Sequence, residues 1–229
     1  TCYIDGDGDG YRGTSTVASS DLDCRDSGEA PSSYPSGDCN DSDRTIYPGA
    51  SETAGDGVDS SCDGKEICYR DSDNDGWRLT STVNSSDADC SDSGEALASE
   101  PTGDCDDGNS GINPGASEVA GDERDQNCDG KELCYVDGDN DGWRLTTTVA
   151  SADLDCLDVG EARASEPTLD CDDGNASVYP GATEVVGDEK DQSCDGKEVC
   201  YEDADNDGWR LNTTVASAAG QGMSVVPSS

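Results

Sequence analysis

The sequence predicts a mostly irregular, loop-rich chain with short β-strands, a very small hydrophobic core and little or no helix. Three observations favour this fold class: few large aliphatic side chains, many cysteines and an internal repeat. Only 27 of the 229 residues are Leu, Ile or Val, although a folded chain of this length buries roughly 70% of its surface. Such a composition is typical of disorder, but the 13 cysteines and the repeat argue for an ordered chain held by disulfides.

A Cys-Tyr pair that recurs every 66 residues defines the repeat. The predicted repeats are residues 2–67, 68–133 and 134–199, followed by a half repeat and C-terminal tail at 200–229. Each full repeat carries four cysteines at fixed offsets, and no insertion disturbs the register. We therefore expect a linear array in which each repeat contacts its neighbours.

The segment WRLTSTV at 77–83, with its equivalents at 143–149 and 209–215, has the β-branched and aromatic composition of a strand. No segment shows a sustained helical period of apolar residues. The small core expected for the second repeat consists of Tyr69, Trp77, Leu79, Val83, Ile112 and Leu133.

The first of three acidic loops in each repeat places carboxylates at positions 1, 3 and 5 and glycine at position 6. This is how an EF-hand calcium loop begins, because a tight turn directs the alternating oxygens inward. The candidate ligands are Asp5, Asp7, Asp9, Asp71, Asp73, Asp75, Asp137, Asp139, Asp141, Asp203, Asp205 and Asp207. Position 12 is Thr82 or Thr148, so a closing carboxylate must come from elsewhere. The nearest candidates are Asp87, Asp89, Asp92 and Glu95.

The second loop has a 12-residue frame that ends in glutamate, as an EF-hand loop does, but without flanking helices. A Pro-Gly turn lies inside the frame, and position 6 is not glycine. Its candidate ligands are Asp41, Asp43, Thr45 and Glu52, then Asp107, Asn109 and Glu118, then Asp173, Asn175, Ser177 and Glu184.

The third loop repeats the 1-3-5 spacing in the sequences DSSCDG, DQNCDG and DQSCDG. Its candidate ligands are Asp59, Ser61 and Asp63, then Asp125, Asn127 and Asp129, then Asp191, Ser193 and Asp195. For each of the three loops, a solvated acidic turn is the alternative interpretation.

The formal net charge of −40 makes cations the natural ligands and excludes nucleic acid as a partner. Carboxylates at this density repel one another unless a divalent cation lies among them. The loops give about ten candidate sites, and oxygen-only ligands favour Ca²⁺. Zinc is disfavoured because the chain contains no His and no Cys-x-x-Cys motif. No apolar run is long enough to insert into a membrane.

The segment DCDDGN…PGASEVAGDERDQNCDG, together with YRDSDNDGW before it, resembles the MopE-type metal-binding repeat of secreted bacterial proteins. It is similar, more loosely, to thrombospondin type-3 repeats. That second likeness implies aspartate-rich segments that wrap calcium around little hydrophobic core. The resemblance covers all three full repeats.

The spacing of the cysteines leaves two pairing schemes open. Proximity favours Cys24–Cys39, Cys90–Cys105 and Cys156–Cys171 within repeats, with Cys62–Cys68, Cys128–Cys134 and Cys194–Cys200 between them. The alternative joins Cys2 to Cys62 and its equivalents and leaves Cys200 single. The cysteine content, and a start at Thr1-Cys2 without Met, predict a secreted or cell-surface protein.

An enzyme is not expected, because the chain has no His and no nucleophile motif. The sequence predicts an extracellular calcium-binding structural protein that assembles head to tail with copies of itself into a filament or matrix fibre. The alternatives are a calcium-stiffened stalk of a larger adhesin and a metal-scavenging surface protein.

Overall fold

The computed structural model describes residues 1–21, 23–205 and 207–218. Contacts divide the chain into two compact parts, Thr1–Ala116 and Ser117–Ser229, and the division falls inside the second 66-residue repeat. The described residues form short strands and no helix, which confirms the predicted loop-rich fold class. The repeat boundaries themselves stay a prediction, and residues 219–229 of the predicted tail lie outside the described residues.

Each full repeat contains one small antiparallel sheet with its first strand in the centre. In the N-terminal part, β1 (Cys2–Asp5) lies between β2 (Thr16–Val17) and β3 (Gly28–Ala30), and β4 (Ile67–Asp71) lies between β5 (Thr82–Asn84) and β6 (Gly94–Ala96). In the C-terminal part, β7 (Leu133–Asp137) lies between β8 (Thr148–Ala150) and β9 (Gly160–Ala162), and β10 (Lys197–Tyr201) pairs with β11 (Thr214–Ala218).

The strand predicted over 77–83 is shorter than its composition suggests. Only Thr82–Asn84 is a strand, and Arg78 instead forms an isolated parallel bridge with Thr102. The preceding loop explains this, because the Trp77 amide donates to Asp75 Oδ1 and so continues the acidic turn.

An arginine stacked on the tyrosine of the central strand fixes the chain after each first loop. The Arg78 guanidinium lies 3.8 Å from the ring centroid of Tyr69, and its Nε donates to the carbonyl of Glu100 at 2.9 Å. The same stack joins Arg12 to Tyr3, Arg144 to Tyr135 and Arg210 to Tyr201. A cation over an aromatic face contributes about 0.5–2 kcal/mol, so these stacks stabilise a chain with little apolar surface.

The buried apolar residues are mainly cysteine and alanine rather than large side chains. In the second repeat, Cys68 and Ala96 are 0% exposed and Cys90 is 5% exposed. The six residues expected in its core are all half-buried. Disulfides and small residues therefore replace a hydrophobic core.

Both predicted disulfide schemes are wrong. The observed bonds are Cys2–Cys24, Cys39–Cys62, Cys68–Cys90, Cys134–Cys156 and Cys171–Cys194, and Cys105 and Cys128 are also disulfide-bonded. Doubling the length of the chain segment that a disulfide closes costs only about 0.6 kcal/mol of closure entropy. Closeness in sequence was therefore a weaker guide to cysteine pairing than the positions of the strands. Cys200 is the one free cysteine in the described part of the chain.

Candidate metal centre

The first acidic loop starts on the last residue of each central strand, which fixes its first ligand. Asp137 ends β7 and is 3% exposed. Asn140 adopts φ of 58° and Gly142 adopts φ of 88°, a left-handed backbone region that favours glycine and asparagine. The Asn140 side chain then accepts the Gly160 amide at 2.9 Å, which ties the loop to β9.

Each aspartate in this loop uses one carboxylate oxygen to hold the turn. Asp137 Oδ2 accepts the Gly142 amide at 3.0 Å, and Asp139 Oδ1 accepts the Asp141 amide at 3.2 Å. Asp141 Oδ1 accepts the Trp143 amide at 2.8 Å. The second oxygen of each of these three carboxylates is buried and has no hydrogen-bond partner. Ligand atoms of the three residues lie within 4.8 Å of one another.

The same cluster occurs in the first two repeats. Asp5, Asp7 and Asp9 form one group within 4.8 Å, and Asp71, Asp73 and Asp75 form another. Buried oxygens without a partner remain on Asp7, Asp9 and Asp73. The structure therefore brings together the 1-3-5 carboxylates that the sequence predicted for these three loops.

A fourth carboxylate, which the sequence analysis missed, faces each cluster from about 30 residues away. Asp170 uses Oδ1 to accept the Asp172 amide and leaves Oδ2 buried without a partner. Burial raises the pKa of Asp139, and the charge of Asp170 raises it further. Asp38 and Asp104 take the same position in the first and second repeats, and burial raises the pKa of both. The Asp-Cys pair at this offset in every repeat was the available signal.

Asp87, Asp89, Asp92 and Glu95, which were predicted to complete the first loop, form a cluster of their own. Burial raises the pKa of Glu95, and the charges of Asp92, Asp87 and Asp89 add to that effect. Burial raises the pKa of Asp73, and the charges of Asp75 and then Asp104 raise it further.

The predicted ligands of the second loop do not converge on one metal site. The two ends of the loop face different neighbouring loops. Asp173 Oδ1 accepts the Gly138 amide at 2.8 Å and so faces the first loop. At the other end, Glu184 Oε1 accepts the Ser193 amide at 2.8 Å and so faces the third loop. Equivalent contacts join Asp41 to Gly6, Glu52 to Ser61, Asp107 to Ser72 and Glu118 to Asn127.

The middle residues of the second loop form local turns. Asp43 Oδ1 accepts both the amide and the hydroxyl of Thr45, and these bonds lower the pKa of Asp43. Asn109 Oδ1 accepts the Gly111 amide, and Asn175 Oδ1 accepts the Ser177 amide. Asp43 is exposed to solvent, so this turn needs no cation to satisfy its oxygens.

The third loop is closed by backbone amides. Asp59 accepts the Asp63 and Gly64 amides, and Asp191 accepts the Asp195 and Gly196 amides. The equivalent Asp125 accepts the Asp129 and Gly130 amides, with Asn127 Oδ1 also accepting the Asp129 amide. The side chains of Ser61 and Ser193 lie 3.5 Å from the aspartate that begins their loop. Asp63, Asp129 and Asp195 are exposed, so this loop presents fewer inward oxygens than the first.

The first-type loop of the half repeat is more open. Asp203 Oδ2 accepts the Gly208 amide at 3.3 Å, and its Oδ1 is buried without a partner. Asp207 Oδ1 accepts the Trp209 amide at 2.8 Å. Asp205 and Asp207 are exposed, whereas Asp139 and Asp141 are half-buried.

Basic side chains do not neutralise these carboxylates. Across the described residues there are two salt bridges, Arg163–Glu123 and Lys197–Asp195, and neither touches a first loop. Buried ionised carboxylates are costly unless they are paired or coordinate a metal.

We use the term complete loop for a first loop that has a fourth carboxylate. A hard divalent cation, which takes six to eight oxygen ligands, fits the complete loop of the third repeat, where Asp137, Asp139, Asp141 and Asp170 each keep a buried unpartnered oxygen. In the second repeat, Asp75 Oδ2 instead accepts from Asn113 Nδ2 at 2.8 Å.

Comparison with known proteins gives one family. The Cu-binding_MopE family model, described as a "Putative metal-binding motif", matches residues 38–66, 104–132 and 170–197. No curated protein and no solved structure matches the chain. The matched segments begin at Asp38, Asp104 and Asp170, the residues that supply the fourth carboxylate of each complete loop. The chain therefore contains three copies of the MopE-type metal-binding motif, one in each 66-residue repeat.

Proposed function

We propose that this chain is a calcium-binding structural repeat protein whose folded state depends on the bound ions. The observation that carries the proposal is the set of four inward, unpartnered oxygens in the third repeat, on Asp137, Asp139, Asp141 and Asp170. Asp5, Asp7, Asp9 and Asp38, and then Asp71, Asp73, Asp75 and Asp104, hold the equivalent ions. A bound calcium ion neutralises these carboxylates and links the end of the central strand to the segment that carries the fourth aspartate.

The donor atoms favour calcium over copper, although the family name refers to copper. Copper is selected by imidazole, thiolate or thioether ligands. The chain contains no His and one Met, and 12 of its 13 cysteines are disulfide-bonded. Carboxylates with backbone-held orientation are the ligands that calcium prefers. A metal-scavenging role based on copper therefore has less support than calcium binding.

A structural role is supported by the positions of the chain segments that each ion would hold together. The four ligands of a complete loop come from a strand end, a turn and a segment about 30 residues later. Because the site does not exist in an unfolded chain, the free energy of calcium binding becomes free energy of folding. The loop aspartates are then committed to the cation and to backbone amides, so they do not act as general acids or bases. We therefore propose that the protein is not an enzyme.

We propose that the protein acts outside the cytoplasm. Six disulfides in a chain of this size are typical of an oxidising compartment. The helices needed to span a bilayer are not found in the described part of the chain. Head-to-tail self-assembly into a filament, and the alternative of a stalk within an adhesin, stay predictions.

Calcium titration with a site-specific optical signal tests the proposal. Trp143 follows the loop directly, and its ring stacks on Tyr179 at 6.3 Å between centroids. We expect calcium to change the Trp143 emission at micromolar to millimolar concentrations, the range of calcium modules, and Asp139→Asn to weaken that response. Copper(II) at equal concentration is the control metal. Tighter copper binding that displaces calcium would contradict the proposal.

A further inference from the structure

One buried glutamate in each repeat has no role in the first-loop sites. Glu66 immediately precedes β4, Glu132 immediately precedes β7, and Glu198 lies in β10. They are 1%, 2% and 3% exposed, respectively. Neither oxygen of Glu66 has a hydrogen-bond partner, and one oxygen of Glu132 and of Glu198 also lacks one. Such a carboxylate costs several kcal/mol to bury if it is charged and unpaired.

Two more carboxylates surround Glu66. The Gly55 amide donates to the carbonyl of Ile67 at 2.7 Å, which places Asp56 beside Glu66. Glu52 is held by the Ser61 amide, which donates to its Oε1 at 2.7 Å. Burial raises the pKa of Glu66 to about 7, and the charges of Glu52 and Asp56 contribute to the increase.

The other two repeats build the same cluster. Burial, followed by the charges of Asp122 and Glu118, raises the pKa of Glu132. Burial raises the pKa of Glu198 as well, and Asp188 and Glu184 are the charged neighbours. The Gly121 amide donates to Glu132 Oε1 at 3.2 Å, and the Gly187 amide donates to Glu198 Oε1 at 3.0 Å. The arrangement therefore recurs with the 66-residue period.

In the described part of the chain, no lysine or arginine forms a salt bridge with the Glu66 cluster. Lys65 lines an open pocket of about 290 Å³ together with Glu52, Asp63, Glu66, Ile67 and Asn84. Neither salt bridge of the described residues includes Lys65 or any member of the Glu66 cluster. The pocket gives a small cation a path to the Glu52 and Glu66 carboxylates.

We propose that Glu52, Asp56 and Glu66 form a second divalent-cation site, separate from the first-loop site, and that Glu118, Asp122 and Glu132, and Glu184, Asp188 and Glu198, form its equivalents. Three carboxylates with no His or thiolate select a hard cation such as Ca²⁺. This inference rests on the proposed calcium function. It changes the expected ion count from one to two in each full repeat.

The first repeat differs from the others in a way that affects this site. Gln126 Nε2 donates to both oxygens of Asp122, and Gln192 Nε2 donates to Asp188 Oδ2. The first repeat has Ser60 at this position, so no amide holds Asp56 in that way. The cluster around Glu66 thus keeps the most unpartnered oxygens, and we expect the cation to change the stability of this cluster most.

Calcium stoichiometry in the full disulfide-bonded chain tests the inference. Equilibrium dialysis against ⁴⁵Ca²⁺ is performed with the wild type and with the triple variant Glu66→Gln, Glu132→Gln, Glu198→Gln. We expect the variant to lose three ions, one per cluster, while the Trp143 response to calcium is retained. Glu66→Gln alone is expected to lose one ion and gives a readout if the triple variant does not fold.

A matched variant distinguishes this inference from the proposed function. Asp38→Asn, Asp104→Asn and Asp170→Asn remove the fourth carboxylate of the first-loop sites and leave the glutamate clusters intact. A wild type that binds no calcium would overturn the proposed function and this inference together. Full stoichiometry in a folded Glu66→Gln variant would overturn this inference alone, since Glu66 would then be a protonated structural acid.

Discussion

The loop after β7 and the loop after β10 have nearly the same sequence, DGDNDGW and DADNDGW, but different surroundings. Both are followed by an arginine stacked on the strand tyrosine, at 3.7 Å for Arg144 and 3.8 Å for Arg210. Trp143 is half-buried against Tyr179, whereas Trp209 is 77% exposed. In the loop after β7, the charge of Asp170 also acts on Asp139. The local sequence therefore determines the acidic turn and the arginine–tyrosine stack in both loops. Burial of the carboxylates in the loop after β7 depends in addition on the segment from Asp170 to Tyr179.

Protection from trypsin is expected to separate the two loops. Arg144 Nε donates to the Glu166 carbonyl at 2.9 Å, whereas Arg210 is exposed. In calcium we expect cleavage after Arg210 and protection at Arg144. Removal of calcium should speed cleavage at Arg144 at least about tenfold, because proteolysis follows the population of the open state.

Mass spectrometry after reduction would identify both products. Cleavage at Arg210 is the internal control, because its rate should change little with chelator. Unchanged protection of Arg144 after exhaustive chelation would show that the disulfides alone hold the complete loop.

The next effect is the pH dependence of the calcium-free protein. The pKa of Glu66 is about 7 in the folded chain and 4.5 as its ordinary value, so the folded state holds the extra proton. The contribution of Glu66 to the free energy of unfolding is therefore highest below pH 4.5 and falls by about 3 kcal/mol as pH rises to about 7. Glu66→Gln should remove much of that slope in urea unfolding of the apo-protein.

Glu198, in the sheet of β10 and β11, provides the comparison for the pH dependence of Glu66. Burial raises its pKa too, but one of its oxygens accepts the Gly187 amide, which supports the charged form. Glu198→Gln should therefore remove less of the pH dependence than Glu66→Gln. Equal changes in the two variants would contradict the role assigned to that hydrogen bond.

A glycine pair at equivalent positions probes the packing of the complete and half repeats. A Cβ on Gly121 would lie 2.4 Å from the Ala164 amide nitrogen, whereas a Cβ on Gly187 would lie 3.7 Å from its nearest atom, in Tyr201. Both residues have positive φ, 72° and 76°. We expect Gly121→Ala to cost about 2–3 kcal/mol and Gly187→Ala about 1 kcal/mol.

Urea unfolding of both variants in saturating calcium measures the difference. Equal destabilisation would mean that backbone strain dominates and that the contact with the Ala164 segment adds nothing.

The features of the fold and site that could be predicted are those that depend on the spacing of residues close together in the sequence. Alternation of Asp137, Asp139 and Asp141 predicts three inward carboxylates, because the turn that orients them is local. Asp170 was missed because a segment about 30 residues away supplies it. The pairing of Cys68 with Cys90 likewise depends on the strand order of a sheet. Glu132, within the polar sequence DGKEL, gave no sign of burial, since its environment is built by Gly121 and Asp122.

A single substitution isolates the contribution of the fourth carboxylate. Asp170→Asn keeps the oxygen that accepts the Asp172 amide and removes one negative charge from the loop. Calcium affinity depends on the number of charged ligands, so we expect a loss of at least about tenfold, ~1.4 kcal/mol, at this loop. Trp77→Phe and Trp209→Phe leave Trp143 as the only tryptophan and make its emission specific for the site. Asp172→Asn, which removes an exposed charge two residues away, is the matched control and should leave the affinity nearly unchanged. If both variants weaken binding equally, the long-range field of the acidic chain, rather than ligation by Asp170, distinguishes the complete loop from the loop after β10.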